Sequence, residues 1–257
     1  MDEMPSLPPI VVAENVVGLL SAAQGSHYLS LHRALSERGY RVGALVLDAI
    51  HWLPQSRPRV FVVGVRKDKK TDDFEATEPL WCHTAAVRRV AELTEGFIWW
   101  ALPKPPARRK RLEDIVDFEA EEFSSRRSQH NLRLIPAVHR QRMQAMANGD
   151  QRVFPGYKRI RSGKQVLELR FDSVAGCLRT PQGGSSRQFL VIYRDGKFET
   201  RLLTVRETAR LMGVRESYRI EGSYNDGYKA MGDAVAIPVV RHLARHLLAP
   251  LSEGWCG

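Results

Sequence analysis

Ile10-Val11-Val12-Ala13-Glu14-Asn15-Val16 holds the pattern from which the fold can be read: four consecutive apolar residues, then a carboxylate and an amide. A short unbroken apolar run of this kind is the signature of a buried strand, with Ile10 to Ala13 as its body. Working outward, Ser26 to Arg38 reads as a helix with Tyr28, Leu31 and Leu35 on one face, and Gly39 stands where such a helix ends. Two further apolar runs follow, Val42 to Leu47 and Val60 to Val65. Strand, helix, strand, strand with buried runs predicts an α/β unit built on a mostly parallel or mixed sheet. A doubly wound sheet is usually built from about five or more strands, and the sequence offers three. Either the sheet is small, or residue 1 falls partway through a larger one.

The chain has 257 residues, of which 43% are apolar and 26% charged, an ordinary globular composition. No apolar run approaches the ~20 residues that span a bilayer, so the reading is of a chain that does not enter a membrane. The first residues, Met-Asp-Glu-Met-Pro-Ser-Leu-Pro-Pro, carry acids and prolines where a secretory signal carries positive charge and an apolar block. Three scattered cysteines, Cys82, Cys177 and Cys256, make neither a disulfide framework nor a zinc site, and no metal site is expected. These features together predict a reduced, cytoplasmic setting.

Thirty-nine Lys and Arg stand against 29 Asp and Glu, a net charge of +10. Residues 151–194 hold nine of the basic residues (152, 158, 159, 161, 164, 170, 179, 187 and 194) and two acids (168 and 172), so this segment alone carries +7. Concentrated charge of this size favours a polyanionic partner through phosphate contacts and counterion release. The segment interleaves Phe154, Tyr157 and Phe171 with glycines and with the β-prone run Phe189 to Tyr193. Basic strands and loops of this sort suit a groove or backbone contact on DNA better than a recognition helix does. By contrast, the basic run Arg108 to Arg111 is followed at once by acids from Glu113 to Glu122, and reads as a solvated helix or loop.

Helices are predicted over Leu132 to Met146 and over Val239 to Leu248, the latter opened by Pro238. Thr204-Val205-Arg206-Glu207 forms a capping box ahead of Leu211 and Met212, with Gly213 closing the helix. Gln55-Ser56-Arg57-Pro58-Arg59 precedes the third apolar run, and a proline between two arginines is expected to turn both guanidiniums toward solvent or a ligand.

The order of these pieces carries more than any one of them. Glu14-Asn15-Val16-Val17-Gly18-Leu19-Leu20, then Gln55-x-Arg57-x-Arg59 before a Val-rich strand, a long basic segment, Arg201 to Gly213, and Gly232-Asp233-Ala234-Val235-Ala236-Ile237-Pro238 resemble motifs VI, VIII, IX and X of the DNA (cytosine-5) methyltransferases. The resemblance implies an incomplete Rossmann-like sheet of S-adenosylmethionine-dependent methyltransferases plus a smaller mixed target-recognition domain. It divides the chain into 1–66 from the catalytic domain, 67–200 as target-recognition domain, and 201–257 returning to the catalytic domain. It implies further that Glu14 hydrogen-bonds N3 and the exocyclic amine of a flipped cytosine, and that Arg59 contacts its O2. Asn15, Gln55 and Arg57 would support that pocket. Gly232, Asp233, Ala234 and Val235 would touch S-adenosylmethionine, and Arg179, Thr180, Gly183, Gly184, Ser185, Ser186 and Arg187 would meet double-stranded DNA. The setting in which such enzymes commonly work is restriction-modification.

The same comparison exposes departures. Neither the family's Phe-x-Gly-x-Gly cofactor loop nor its Pro-Cys nucleophile occurs in this sequence, since the cysteines follow Trp81, Gly176 and Trp255. Position 233 is Asp where the family carries Asn. The expectation is a C-terminal part or subunit of such an enzyme, inactive alone, with an incomplete cofactor site and an N-terminal methyltransferase subunit acting in trans. The alternative is a catalytically inactive DNA-binding or regulatory remnant.

Overall fold

The computed structural model describes residues 4, 6–120, 125–147, 149, 151–179 and 187–253. They gather into two compact units, one made of Met1–Asp48, Pro58–Pro106 and Val239–Gly257, the other of Ala49–Arg57 and Ala107–Pro238. No helix among the described residues is long and apolar enough to cross a membrane.

The first unit is an α/β layer. Strands β1 (Ile10–Val16), β2 (Tyr40–Asp48) and β3 (Pro58–Arg66) form a sheet in the order β1-β3-β2. Helix α1 (Ser26–Glu37) connects β1 to β2, and α2 (Ala85–Glu92) follows the sheet in sequence. The apolar runs of β2 and β3 are buried on both faces. Val42, Ala44, Val46, Val60 and Val62 pack with Tyr28, Leu35, Val87 and Val90 on one side. Leu45, Leu47, Phe61, Val63 and Val65 are buried as well, and the Trp100 indole donates to the Val63 carbonyl at 3.0 Å. Gly43 is required here: a Cβ would lie 2.0 Å from the Ile98 carbonyl oxygen and 2.8 Å from the Trp100 ring.

Two expectations about this sheet change. Both ladders are antiparallel, because β3 inserts between β1 and β2, which themselves run in the same direction. A run of buried residues reports that both faces are covered and is silent on the direction of its neighbour. The Ile10 to Ala13 run extends to Val16 and is only half-buried, since β1 is an edge strand and Val12 is 41% exposed. Such an edge offers unpaired backbone donors and acceptors as a template for another strand. Hydrogen exchange should therefore find β1 amides poorly protected in the free chain and protected once a strand-donating partner is added. Full protection of β1 in a free monomer would show that the edge is closed some other way.

His83 adds a pH dependence to this unit. Its Nδ1 accepts the Leu80 backbone N–H at 2.8 Å, and its ring meets Trp99 edge-on with 5.0 Å between centroids. Burial, assisted by nearby Arg88, pushes its pKa down to about 4. The folded value lies below the unfolded one of ~6.5, so its stabilising contribution is whole above that pH and is lost as pH falls toward the folded value. Urea midpoints measured from pH 7 to 4 should drop across this window, and His83→Gln should flatten the drop.

The second unit holds a four-stranded antiparallel sheet in the order β5-β4-β6-β7, from β4 (Val153–Arg161), β5 (Lys164–Leu169), β6 (Gln188–Arg194) and β7 (Lys197–Leu202). Phe154, Leu167, Leu169, Phe189 and Val191 pack with Ile135, Met143 and Ala147 into its core. The helix expected over Leu132 to Met146 is two helices, α3 (Ser125–Arg133) and α4 (Ala137–Ala147). Pro136 lies in the break, where it cannot continue a helical ladder and biases Ile135 away from helix. Helix α5 (Val205–Leu211) begins with the expected Thr204–Glu207 capping box, and α6 (Tyr224–Asp233) begins with a second one made by Ser223 and Asp226. The last predicted helix starts at Ile237, with Pro238 in its first turn. It is α7 (Ile237–Leu243), a wider π-helical stretch over Ala244–Leu248, and α8 (Ala249–Glu253).

Candidate active site

Glu14 and Arg59 meet in the first unit. In the β1–β3 register Glu14 faces Phe61 and Val16 faces Arg59, so Glu14 and Arg59 are diagonal neighbours whose side chains share a face of the sheet. The Arg59 Nε lies 2.9 Å from a Glu14 carboxylate oxygen, and the two side chains are 14% and 30% exposed. One Arg59 Nη donates to the Pro58 carbonyl at 3.0 Å. A carboxylate and a guanidinium thus stand side by side, half-open, on rigid strands at the free edge of a sheet. Asn15 leaves that face, and its side-chain oxygen accepts the Val16 N–H at 2.8 Å.

Gln55 and Arg57 belong to the second unit. Gln55 is wholly buried, and its amide nitrogen donates to the Leu211 carbonyl at 2.7 Å. Arg57 departs from the expectation that Pro58 turns both flanking guanidiniums toward solvent or a ligand. It is 2% exposed, and its two Nη atoms donate to the carbonyls of Leu178 at 3.0 Å, Gly232 at 2.8 Å and Ala234 at 2.6 Å. Arg59, on the other side of Pro58, is paired with Glu14 and stays partly exposed. Proline sets the backbone direction at 58, but carbonyl-lined burial decides where a guanidinium goes.

The end of α6 and the residue after it are therefore held by Arg57 through the Gly232 and Ala234 carbonyls. Gly232 is buried, Ala234 and Val235 are half-buried, and the Asp233 side chain is exposed. Of the residues expected on DNA, Arg179 is exposed. Arg187 donates to the Asn225 side-chain oxygen, and its guanidinium lies 5.4 Å from the centroid of the Tyr224 ring. Thr180, Gly183, Gly184, Ser185 and Ser186 lie outside the described residues.

The sequence reading missed two buried polar groups. The Tyr157 hydroxyl lies 2.8 Å from the Cys177 carbonyl and 2.7 Å from the Gln188 side-chain amide. The Gln188 group it faces is the amide oxygen, so the one phenol proton is shared between two acceptors. Burial holds the Tyr157 pKa far above the ordinary phenol range. Glu207 does more than complete a capping box. Both its oxygens accept from Arg201, at 2.6 and 2.7 Å, and it also accepts from the Asp117 and Thr204 amides at 2.8 and 2.7 Å. Arg201 six residues ahead of Glu207 was the available signal.

The two described thiols differ in setting. Cys82 is fully buried, with its pKa pushed up to about 12 by burial, so it stays a thiol at neutral pH. Cys177 is half-buried, with its sulfur 3.4 Å from Arg57. Cys256 lies outside the described residues, and among those described no three His, Cys, Asp or Glu side chains cluster to hold a metal.

Residues 5–249 match the C-5 cytosine-specific DNA methylase family. Among curated relatives, the chain is 24% identical over 256 residues to the Type II methyltransferase M.FnuDI of Fusobacterium nucleatum, covering 96% of this chain and 66% of the relative. It is also 24% identical over 246 residues to M.HhaI of Haemophilus parahaemolyticus, covering 95% of this chain and 64% of that one. The chain thus spans just under two thirds of the length of these relatives. Among solved structures, the S. pombe Dnmt2 methyltransferase superposes with a TM-score of 0.54 at 17% identity, covering 97% of this chain and 69% of the other. The α/β fold is that of the DNA methyltransferases, and with the match extending over nearly all of its length the chain belongs to the C-5 cytosine-specific DNA methylase family.

Proposed function

We propose that this chain is the C-terminal part of a DNA (cytosine-5) methyltransferase, supplying half of the flipped-base pocket and the DNA-recognition surface. The observation that carries this reading is the Glu14–Arg59 pair, 2.9 Å apart on adjoining strands. Enzymes that alter a base within a duplex must extrude it into a pocket and read its hydrogen-bonding edge. Glu14 hydrogen-bonds N3 and the exocyclic amine of the cytosine. A proton held at N3 withdraws electrons from the ring, so C6 becomes open to thiolate attack and C5 afterwards behaves as an enamine carbon. Arg59 meets the charge that develops at O2. Donors fixed on two strands need no reorganisation at the moment of reaction, which is where such groups are most effective.

S-adenosylmethionine supplies the methyl group taken up by C5. The residues present fit one side of that cofactor. Arg57 holds the C-terminal end of α6 by the Gly232 and Ala234 carbonyls, and Asp233 between them is exposed. The rest of the cofactor site and the Pro-Cys thiolate come, on this reading, from an N-terminal methyltransferase piece acting in trans. Double-stranded DNA is the substrate, held by the basic second unit, with Arg179 and Arg187 among the contacts.

A methyl-transfer assay on duplex DNA with labelled S-adenosylmethionine tests this. The purified chain should transfer nothing, and activity should appear when a fragment bearing Phe-x-Gly-x-Gly and Pro-Cys is added. Robust methylation by the chain alone would overturn the reading.

A further inference from the structure

Leu29, His32 and Ser36 follow one another at helical spacing on α1, so they form one stripe along it. The chain turns after α2 at Leu93 to Gly96 and is then fastened to β2, where the Ile98 N–H donates to the Val42 carbonyl at 3.0 Å. Between the stripe and the turn the first unit keeps an open groove of about 650 Å³, which the Glu14–Arg59 pair does not line. Its volume lies within the ~300–1,000 Å³ typical of small-molecule sites.

Three features of the lining set it apart from an ordinary surface cleft. His32 is 3% exposed, and its Nε2 forms no hydrogen bond among the described residues. The Ser36 hydroxyl lies 3.4 Å from Nδ1, the Val42 carbonyl is near the ring, and Phe97 stacks on it at 6.4 Å with 6° between planes. A buried polar atom without a partner is costly, and a ligand that supplies one recovers that cost. Leu93, by contrast, is 57% exposed, an apolar surface that a ligand body would cover. The third feature is charge. The Lys67 N–H donates to the Gly39 carbonyl at 2.9 Å and so carries the β2–β3 ladder one step past Arg66. Lys67 and Arg41 are thereby diagonal neighbours on one face of the sheet. Arg33 is paired with Glu37 at 2.7 Å and Arg41 with Glu75 at 3.0 Å, whereas Lys67 is exposed and makes no ion pair among the described residues. Glu95, on the turn, repels an acid, so the acidic end of a ligand belongs with Lys67.

An unmatched buried imidazole, an exposed leucine and a pair of neighbouring cations describe a ligand by its complement. We propose that this groove binds a small organic acid with a flat apolar body. The acid sits on Lys67 and on the guanidinium hydrogens of Arg41 that Glu75 leaves open. The body lies against Leu29, Leu93 and Ile98, and its polar edge meets His32 Nε2. Strand, helix and a turn pinned to β2 hold these groups in place before the ligand arrives, which lowers the cost of binding. The inference stands apart from the methyltransferase reading, since none of these residues belongs to the Glu14–Arg59 pair or to the basic second unit.

Fluorescence titration of the purified chain with 8-anilinonaphthalene-1-sulfonate tests it, because that probe joins an acid to a flat apolar body and brightens when buried. One saturable site with a Kd of about 10–100 µM is expected from the usual efficiency of a ligand of this size. Lys67→Glu should weaken binding at least about tenfold, the worth of a hydrogen bond to a charged group. Leu93→Asp, a change at an exposed position, should weaken it at least about tenfold through lost apolar contact. Lys164→Glu in the second unit and Val12→Ser on the β1 edge should bind as wild type. N-phenyl-1-naphthylamine, the same body without the acid, should bind at least about tenfold more weakly and be indifferent to Lys67→Glu. At saturation the imidazole nitrogen resonances of His32 should shift in the NMR spectrum. No saturable binding, or equal affinity in wild type, Lys67→Glu and Leu93→Asp, overturns the site. Weakening by Val12→Ser instead would put the probe on the β1 edge and overturn it as well. Unmoved His32 resonances at saturation would overturn the imidazole contact.

Discussion

Glu14→Gln should slow methyl transfer by roughly 10²- to 10³-fold, the loss that follows removal of one preorganised group facing developing charge. The assay is the enzyme completed with the Pro-Cys-bearing piece, under single-turnover conditions. Glutamine keeps the size of the side chain and can still accept from the cytosine amine, but it cannot hold a proton at N3. The structural cost is small, because the partner pair is 14% and 30% exposed and ion pairs with that access to water contribute ~0–1 kcal/mol. Affinity for DNA should accordingly change by less than about threefold, since the proton at N3 matters in the transition state rather than in the ground state. Arg59→Ala should slow the reaction to a similar degree. Parallel losses in binding and turnover for Glu14→Gln would remove the base contact from the mechanism.

Glu207→Ala should be the most destabilising single change in the second unit, costing about 3–5 kcal/mol by the usual penalty for stranding one partner of a buried ion pair. Arg201 is 2% exposed and Glu207 wholly buried, so neither group can recover water when the other is lost. The substitution also strands the Thr204 and Asp117 amides. Native domains are stable by only ~5–15 kcal/mol, so the variant stands near the threshold for folding. Urea denaturation of the purified chain measures it. Converting both partners to apolar residues of similar volume, Arg201→Met with Glu207→Leu, should recover much of the loss. A single variant costing under about 1 kcal/mol would show that this pair is not sealed from water.

The strands were the most legible part of the sequence. Val42 to Leu47 and Val60 to Val65 are apolar at every second and every intervening position, which only a sheet covered on both faces requires. The capping box at Thr204 was readable for a similar reason: its chemistry lies within four residues. Directions and partners were not readable at that range. The insertion of β3 between β1 and β2 depends on which edges remain open after α1 crosses over. Arg57 is the clearest case, because the carbonyls that hold it come from Leu178, Gly232 and Ala234, and no local pattern around Pro58 announces them. Pro136, however, stood in plain view inside an otherwise helical stretch, where the local rule outweighed the apolar periodicity. For the candidate site, Glu14 and Arg59 could be named from motif order, while their register across β1 and β3 needed the fold.

The fastening of Arg57 also sets an order of events during synthesis. Its last acceptors, Gly232 and Ala234, are 175 and 177 residues further along the chain. At ribosomal rates of about 5–20 residues per second, that separation lasts roughly 9 to 35 seconds. Throughout this interval the guanidinium has no completed carbonyl cradle, so it must stay hydrated or be held by something else. The second unit can shape its four-stranded sheet while still attached to the ribosome, but the segment from Ala49 to Arg57 cannot lock into it until α6 has emerged. A translational pause placed before residue 232 would leave a nascent chain with a formed sheet and an open seam, which closes only once residues 232–234 have left the ribosome.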